Sequence, residues 1–490
     1  MRQYISLSIR CNAAKPVVYH SSPSCHNSQM TQVVELPLWL FVLILLFAVV
    51  TALSHFLLPS VRWFLRKRME RAVARLNKRL DRPIQPFKLL ARPDTINRVV
   101  YSPEVMAAVQ AHALDTGVPE AVAFAQARSY AREIVPGFST AAYFGFATRF
   151  AKLLSTALYR VRLGAYDEEA IRKISPDATV IFVMNHRSNM DYLLVTYLVA
   201  GRSALAYAVG EWARVWPLRT LVRALGGYFI RRKSRNALYR RVLARYVQMS
   251  TAGGVTQAIF PEGGLSLDGR VGPAKLGLLS YIVETFDPDA GRDVVFVPIG
   301  INYDRVIEDR VLTRAYEMGE RKFRISIRRA LWATARQMGR HLTGQFHRFG
   351  YAAVSFGAPV SLKQQLASDL GEDPVHALGE VLTDKVREIV PVLPGPLVAA
   401  VIDKADGPLS REQVVTRASE LRNSLALQGA HLHLPRDDPD YEVTVGLRQL
   451  KHQGLILEQG GKFAPEPSER AVLRFYANSI LQLLDSAEAA

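Results

Sequence analysis

Cysteine is scarce in this chain of 490 residues, which has two, Cys11 and Cys25. Both lie near the N-terminus, so the rest of the chain cannot form a disulfide framework or a thiolate metal site, and a reducing compartment is expected. Acidic residues are also few, with 44 Asp and Glu against 62 Lys and Arg, which gives a formal net charge of +18 at pH 7. This excess favours acidic partners, which include phosphorylated small molecules, anionic lipid, an acidic carrier protein and nucleic acid.

Apolar residues are concentrated in one long run near the N-terminus. Residues 36–58 contain few polar side chains and are long enough to span a bilayer as a helix. A series of basic residues follows within 62–79, so the positive-inside rule places the remainder of the chain in the cytoplasm. The sequence therefore predicts a single-pass protein of the cell membrane. Residues 1–33 are expected to be disordered, and Met30 is an alternative start to Met1.

The pattern of apolar residues changes along the chain. Helical spacing prevails through residues 103–175, whereas short apolar strands alternate with helices from about residue 179 to residue 395, which is typical of an α/β domain. The candidate strands are Thr179–Met184, Leu205–Val209, Gly227–Ile230, Thr256–Phe260, Val294–Ile301 and Ala352–Phe356. The predicted divisions of the chain are a disordered segment (1–33), a transmembrane helix (34–59), a basic helical region (60–175), an α/β domain (176–395) and a C-terminal region of helices and a hairpin (396–490).

The first of these strands ends in an unusual polar turn, N-H-R-S-N-M-D. His186 lies on this turn, and Asp191 follows about one helical turn later. A histidine with a carboxylate within reach is a candidate general base with its own orienting partner. The same spacing also fits an ordinary turn in which Asp191 caps the following helix. This stretch alone leaves both interpretations open.

Three further predicted strands end in basic, glycine-rich or polar turns, and α/β domains gather their sites at such strand ends. G-G-Y-F-I-R-R-K (226–233) runs into Arg231, Arg232 and Lys233, whose grouping suits a phosphate, although a solvated helix start also fits. F-P-E-G-G places Glu262 beside paired glycines that expose backbone amides. V-P-I-G-I-N-Y-D ends the remaining strand.

These four stretches resemble, in order and with suitable gaps, the four sequence blocks of the glycerolipid acyltransferases. N-H-R-S-N-M-D matches the motif of a histidine, four residues and an aspartate. G-G-Y-F-I-R-R, F-P-E-G-G and V-P-I-G-I-N-Y are similar to blocks two, three and four, with block two closest to the glycerol-3-phosphate acyltransferase branch. G-L-I-L-E-Q-G-G-K-F and L-R-F-Y-A-N-S-I resemble the C-terminal region of that branch, so the resemblance covers roughly residues 140–485.

The resemblance implies a fold and a reaction. The implied fold is a mixed sheet flanked by helices, with helical N- and C-terminal regions. In the implied reaction His186 deprotonates the acceptor hydroxyl, Asp191 orients the imidazole, and the alkoxide attacks the thioester of acyl-CoA or acyl-carrier protein without metal or cofactor. The implied product is lysophosphatidate, made from the sn-1 hydroxyl of glycerol 3-phosphate for phospholipid synthesis, so membrane lipid is a further expected partner. The implied substrate-binding residues are Arg231, Arg232, Glu262, Gly263, Gly264, Ser266 and Pro298.

One departure from the family pattern bears on the acceptor. Block three of the glycerol-3-phosphate branch continues E-G-x-R-S-R, whereas this chain has Leu265 and Leu267 in place of the two arginines. Each replacement removes a potential phosphate contact. Glycerol 3-phosphate remains the expected acceptor because block two and the C-terminal region follow that branch, and lysophosphatidate or another lysolipid is the alternative.

Three other classes of protein fit less well. A metal hydrolase using His186, Asp191 and Glu262 lacks a second histidine at ligand spacing near them. A serine hydrolase lacks a nucleophile-elbow motif, since Ser266 lies in G-L-S-L-D-G. A membrane-tethered nucleic-acid-binding protein would account for the charge, but no recognised nucleic-acid motif is present and the cations cluster at strand ends. We therefore expect no metal and no nucleic-acid partner.

Overall fold

The computed structural model describes residues 4–5, 36–200, 202–210, 214, 218–231, 236–289, 291–319, 348–368, 371–436 and 438–485. The chain forms two compact units, which divide between Leu76 and Asn77.

The N-terminal unit contains a short antiparallel pair of strands and most of one long helix. Strand β1 (Tyr4–Ile5) pairs with β2 (Leu36–Pro37), and helix α1 (Leu38–Asn77) follows without a break between the apolar run and the basic run. No helix in the described part of the chain has both the length and the hydropathy needed to cross a membrane. The structure therefore gives no support to the transmembrane helix predicted over residues 34–59. Apart from β1, the segment 1–33, for which we predicted disorder, lies outside the described residues.

The second unit is built on a mixed sheet of eight strands, which confirms the α/β prediction. The strands are β3 (Arg160–Tyr166), β4 (Thr179–Met184), β5 (Ala206–Gly210), β6 (Tyr228–Ile230), β7 (Gln257–Ile259), β8 (Val294–Tyr303), β9 (Tyr351–Phe356) and β10 (Val360–Ser361). Their order is β3-β9-β8-β4-β7-β5-β6, with β10 paired to β8. Strand β8 is antiparallel to β9 and β10, and the other neighbours are parallel.

The six strands predicted between residues 179 and 395 are all present, and β4 has the predicted bounds. The helical prediction for residues 103–175 is wrong over β3. Strand β3 is an edge strand that pairs with β9. Its sequence alternates Arg160 and Arg162 with apolar residues, and the arginines lie over the ring of Tyr351. A half-exposed edge strand of this kind lacks the continuous apolar run that marks the central strands.

Helices cover both faces of the sheet. They are α2 (Pro86–Leu89), α3 (Arg92–Val100), α4 (Pro103–Thr116), α5 (Glu120–Ile134), α6 (Thr148–Leu158), α7 (Glu168–Arg172), α8 (Asp191–Val199), α9 (Leu218–Ala224), α10 (Ala237–Ala252), α11 (Gly277–Val283), α12 (Asp309–Glu317), α13 (Leu362–Ala367), α14 (Pro374–Glu388), α15 (Pro394–Asp403), α16 (Arg411–Leu427), α17 (Pro439–Gln453) and α18 (Arg470–Asp485). A π-helical turn, Ala141–Ala147, precedes α6.

Alternate side chains of β4 enter two different cores because successive residues of a strand point to opposite faces. Val180, Phe182 and Met184 join a core that also contains side chains of α6, α8, α15 and α18. Ile181 and Val183 join a second core that contains side chains of α3, α4, α5, α10 and α14. The C-terminal helices thus pack on the same sheet that carries the polar turn after β4.

The C-terminal region also contains the predicted hairpin. Strands β11 (Leu409–Ser410), β12 (Ile456–Gln459) and β13 (Lys462–Pro465) form a small antiparallel sheet in the order β11-β13-β12. The β12–β13 turn is formed by Gly460 and Gly461, which both have positive φ angles. This conformation favours glycine and explains the paired glycines in the sequence.

Gly300, within β8, lies close to the backbone of Ile389 and Val390, so a larger residue at this position should destabilise the fold. A Cβ atom at this position would lie 2.8 Å from the backbone nitrogen of Val390 and closer still to the carbonyl of Ile389. Gly300→Ala should therefore lower the free energy of unfolding by about 1–3 kcal/mol, measured by urea denaturation. Gly145→Ala is the matched control, because a Cβ atom there meets no atom within 4 Å. Equal stability of the two variants would contradict the packing described for β8.

Candidate active site

The turn between β4 and α8 is fixed to the neighbouring strand at its first residue. The side chain of Asn185 donates from Nδ2 to the carbonyl of Ile301 at 2.9 Å, and Oδ1 accepts the Ile301 N–H at 2.8 Å. Asn185 is 1 % exposed, so these two bonds satisfy a buried amide as well as positioning the turn. His186 follows directly and is held at the carboxyl end of the central strand.

His186 and Asp191 are brought together as predicted. Nδ1 of His186 lies 3.0 Å from Oδ2 of Asp191, and both side chains are buried. Oδ2 also accepts the backbone N–H groups of Arg187, at 2.7 Å, and Ser188, at 3.0 Å. Asp191 therefore closes the turn and orients the imidazole at the same time. The alternative that Asp191 caps the following helix is wrong, because Asp191 is the first residue of α8 and the backbone N–H groups it accepts precede that helix. With its proton on Nδ1, the imidazole leaves Nε2 as the basic nitrogen.

Tyr303 is a residue of this site that the sequence reasoning missed. Its hydroxyl donates to Oδ1 of Asp191 at 2.6 Å. The other carboxylate oxygen, Oδ2, is the one that contacts His186, Arg187 and Ser188. Burial, together with the Asp191 carboxylate, raises the pKa of Tyr303 well above its ordinary value, so the phenol keeps its proton and remains a donor. The sequence signal was the block V-P-I-G-I-N-Y, in which this tyrosine ends β8 beside β4.

Glu262 and Ser266 support the backbone of His186 from the turn after β7. Oε1 of Glu262 accepts the His186 N–H at 2.8 Å, and Oε2 accepts the Gly272 N–H at 3.2 Å. The backbone N–H of Ser266 donates to the His186 carbonyl at 2.8 Å. Burial raises the pKa of Glu262 to about 8, even though two backbone amides donate to its carboxyl group. Block three thus has a positioning role in addition to the substrate-binding role predicted for it.

The other residues predicted to bind substrate, Gly263, Gly264 and Pro298, lie in the turn after β7 or within β8. Gly263 has a φ of +63°, and a Cβ atom there would lie 2.7 Å from Cδ of Lys275. Gly264 is half-buried in the same turn. Pro298 lies within β8 in register with Val183 of β4, close to the carboxyl end of that strand.

Arg231 lies at the end of β6 and is bound by a glutamate from a distant part of the chain. Its Nε and Nη2 atoms donate to the two carboxylate oxygens of Glu133 at 2.8 and 2.6 Å. Nη1 of Arg214 lies 3.0 Å from the same carboxylate. Nothing in the sequence near Arg231 pointed to Glu133, which belongs to α5. Arg232, the second predicted phosphate ligand, lies outside the described residues.

Arg231 and His186 share one edge of the sheet but are not adjacent. Strands β7 and β5 lie between β4 and β6, and all four are parallel, so their carboxyl ends face the same way. Three strand spacings correspond to about 14 Å between the backbone positions. A ligand that contacts both side chains has to lie along this edge.

The loop of the first block also has a second acidic partner, Glu308. Its carboxylate accepts from Oγ of Ser188 at 2.8 Å and from Nδ2 of Asn189 at 3.0 Å. Burial raises the pKa of Glu308 above its ordinary value. Glu308 therefore holds two of the four residues between His186 and Asp191, and no local sequence pattern indicated this contact.

Arg187 connects the site to the C-terminal helix α18. It is 1 % exposed, donates to the carbonyl of Gly269, and places its guanidinium 4.4 Å from the ring centre of Phe475. Leu265 and Leu267, which replace the arginines of block three, pack against the same core. The leucines therefore have a packing role at the edge of this core.

The described residues contain no group of three or more His, Cys, Asp or Glu side chains arranged to hold a metal ion. The chemistry available at this site is proton transfer at Nε2 of His186, supported by a carboxylate that receives four hydrogen bonds.

Comparison with known proteins agrees with this geometry. A family model described as Acyltransferase matches residues 165–302, and one described as Glycerol-3-phosphate acyltransferase C-terminal region matches residues 335–487. Both matches confirm the resemblance to the glycerol-3-phosphate acyltransferase branch of the glycerolipid acyltransferases.

Two curated relatives show how much of the family's length this chain spans. The glycerol-3-phosphate acyltransferase of Shewanella woodyi is 26% identical over 446 residues, which are 84% of this chain and 53% of the relative. That of Xylella fastidiosa is 29% identical over 329 residues, which are 64% of this chain and 36% of the relative. The chain thus spans about half or less of these relatives. The crystal structure of the 1-acyl-sn-glycerophosphate (LPA) acyltransferase from Thermotoga maritima is 23% identical, with a TM-score of 0.31, and covers 50% of this chain and 78% of that one.

The hydrogen bond from Tyr303 to Asp191 predicts that Tyr303→Phe is more damaging than its conservative character suggests. Loss of a buried hydrogen bond to a charged group should lower the free energy of unfolding by about 1.5–3 kcal/mol, measured by urea denaturation. Tyr159→Phe is the matched control: its ring lies 5.2 Å from that of Tyr303, and its hydroxyl donates to a neutral carbonyl, that of Arg305. A smaller loss for Tyr303→Phe than for Tyr159→Phe would show that the bond to Asp191 is not stabilising.

Proposed function

We propose that this chain transfers an acyl group from the thioester of acyl-CoA or acyl-carrier protein to the sn-1 hydroxyl of glycerol 3-phosphate, which forms lysophosphatidate for phospholipid synthesis. The observation that carries the proposal is the buried contact of 3.0 Å between Nδ1 of His186 and Oδ2 of Asp191. The two family matches and the activity for which the relatives are named support the choice of reaction.

The proposed mechanism uses His186 as a general base. Nε2 accepts the proton of the acceptor hydroxyl while the oxygen attacks the thioester carbonyl carbon, and Asp191 stabilises the imidazolium that forms. The tetrahedral intermediate collapses with cleavage of the carbon–sulfur bond, and the imidazolium returns its proton to the departing thiolate. A positioned base of this kind typically contributes about 10²–10⁴-fold in rate, and no covalent acyl-enzyme or cofactor enters the sequence.

The basic side chains at the same edge of the sheet support a proposal for the position of the acceptor. Arg231 is the proposed phosphate ligand, because a guanidinium binds two phosphate oxygens at once. Its present bidentate partner is the Glu133 carboxylate, which has the same fork-shaped geometry that a phosphate would offer. Acceptor binding then requires the phosphate to share or take over this guanidinium.

A second acceptor class is favoured by one observation. Leu265 and Leu267 pack against the core where the glycerol-3-phosphate branch has arginines, so block three offers no guanidinium to a phosphate. An acceptor that relies more on apolar contacts, such as lysophosphatidate or another lysolipid, fits this change. The two acceptors are distinguished directly by the products formed.

We also propose that the reaction takes place at the cytoplasmic face of the cell membrane. Phe146 and Phe150 are exposed and stacked, with ring centres 5.6 Å apart, and exposed Leu153 lies near them on α6. Exposed Arg149 and Lys152 flank this apolar surface. Apolar side chains between basic ones suit the interface of a bilayer that contains anionic lipid.

The experiment for the proposed reaction compares His186→Ala with the unchanged protein. Both are incubated with an acyl thioester and radiolabelled glycerol 3-phosphate, and in parallel with radiolabelled lysophosphatidate. Loss of the base should slow acyl transfer by about 10²–10⁴-fold. His376→Ala is the matched control, since that side chain is 57% exposed on α14, far along the chain from the site. Undiminished transfer by His186→Ala would refute the mechanism, and the acceptor consumed by the unchanged protein assigns the substrate.

The proposed role of Arg231 predicts a selective change in acceptor affinity. Arg231→Gln removes the guanidinium but keeps an amide of similar reach, so KM for the phosphorylated acceptor should rise at least about tenfold, while KM for the acyl donor changes little. Arg241→Gln, at an exposed position on α10, is the control for a general loss of positive charge. If KM for the donor rises more than KM for the acceptor, Arg231 does not bind the acceptor phosphate.

A further inference from the structure

A basic cavity lies on the face of the protein formed by α3, α5 and α9. Its volume is about 380 Å³, and five of its lining residues are arginines. The lining residues are Arg92, Pro93, Ile96, Asn97, Arg128, Arg132, Arg219 and Arg223. Helices α3 and α5 precede the four sequence blocks, and none of these arginines belongs to a block.

Two of the five arginines have a structural role at the C-terminus of α5. Arg92 donates from Nε to the carbonyl of Val135 at 2.9 Å and also donates to the carbonyl of Arg132. Arg223 donates from Nη2 to the carbonyls of Arg132 and Glu133 at 2.8 and 3.1 Å. Cations at the C-terminal end of a helix satisfy its last carbonyl groups and interact favourably with its dipole. This role explains Arg92 and Arg223 but not the other three.

Arg128, Arg132 and Arg219 bring further positive charge to the cavity without a carboxylate to balance it. Among the described residues, no ion pair or hydrogen bond involves the side chains of these three, and no acidic side chain lines the cavity. The nearest acidic group in sequence, Glu133, is occupied by Arg231 and Arg214. Arginine is always charged at neutral pH, so the lining carries five positive charges.

The arginines of the cavity repel one another. Burial, with the charges of Arg219 and Arg132, lowers the pKa of Arg92. Burial, with the charges of Arg219, Arg92 and Arg214, lowers the pKa of Arg223 to about 10. Like charges around one concave surface repel one another because the walls of a cavity concentrate the field, and a bound anion relieves this repulsion. Such an arrangement is therefore better accounted for by a ligand than by solvent alone.

We infer that this cavity binds an anion with two or more phosphate groups. Several guanidinium groups on one wall provide paired N–H donors that match phosphate oxygens, and Asn97 adds an amide beside them. The cavity is distinct from the proposed acceptor site, and different groups of Glu133 contact the two. The side-chain carboxylate of Glu133 accepts from Arg231 of the acceptor site, whereas its backbone carbonyl accepts from Arg223 of the cavity. Two sources offer this chemistry: a soluble organic polyphosphate and the head groups of phosphorylated lipids.

The test measures binding directly and does not depend on acyl transfer, so it stands whether or not the proposed function holds. Pyrophosphate is titrated into the purified chain of 490 residues by isothermal calorimetry. We expect saturable binding that weakens as salt is added, and a loss of affinity of at least about tenfold in the double variant Arg128→Gln/Arg219→Gln. Both positions are exposed, so the substitutions remove charge without disturbing the core.

Two control variants make the assignment specific. Arg98→Gln removes an exposed arginine from α3 that does not line the cavity, and it should leave affinity within about twofold. Arg241→Gln should also retain binding, since that exposed side chain of α10 does not line the cavity. Absence of saturable binding, equal affinity in the double variant, or loss of binding in Arg98→Gln or Arg241→Gln would each overturn the inference.

Competition then identifies the source of the phosphate groups. Displacement of pyrophosphate by coenzyme A identifies a soluble organic polyphosphate as the ligand. Displacement by vesicles that contain phosphatidate, but not by vesicles of phosphatidylcholine alone, identifies a lipid surface. Displacement by neither would leave binding of small inorganic anions alone and would contradict the proposed ligand class.

Discussion

The carboxylate of Asp191 is the group on which the candidate site depends. It is fully buried, and four donors surround it: Nδ1 of His186, the N–H groups of Arg187 and Ser188, and the hydroxyl of Tyr303. A buried carboxylate is costly unless its oxygens are satisfied, so this network fixes the loop in one conformation. The network requires β4 and β8 to be neighbours, because Tyr303 ends β8 while the loop follows β4. The order of strands in the sheet is thus a condition for the histidine to point in a useful direction.

The loop around His186 is held by backbone contacts from other blocks of the sequence. Glu262 and Ser266 reach it from the turn after β7, and Asn185 ties it to β8. The first, third and fourth blocks, which are far apart in the chain, therefore act together on one histidine. Residues such as Asn185 and Glu262 position His186, so their identity matters for the site even where their side chains do not touch substrate. Leu265 and Leu267 fit the structure because the core shared with the C-terminal helices accepts them.

Positive charge in this protein is arranged in two different ways. At the end of β6, Arg231 and Arg214 share the buried carboxylate of Glu133, which leaves one excess charge at the edge of the sheet. Around the basic cavity, five arginines converge without such a carboxylate in the described lining. The net charge of the chain, taken from composition, indicated acidic partners but gave no indication of these two sites. The last residues of α5 contribute to both sites. Glu133 binds Arg231 at the end of β6, whereas Arg132 lines the basic cavity.

Local sequence determined the elements that carry the chemistry. The apolar run Thr179–Met184 determined a buried central strand, and the polar residues after it determined a turn with His186 and Asp191 about one helical turn apart. The four blocks carried the resemblance to the acyltransferase family, which the family matches confirm. Edge strand β3 was missed because its alternating charged residues lack an apolar run, and the transmembrane prediction for 34–59 found no support.

Tertiary structure decided three pairings: Tyr303 with Asp191, Glu308 with Ser188, and Glu133 with Arg231. Each joins residues about 100 positions apart, and no local pattern encodes a contact that arises only when strands and helices pack.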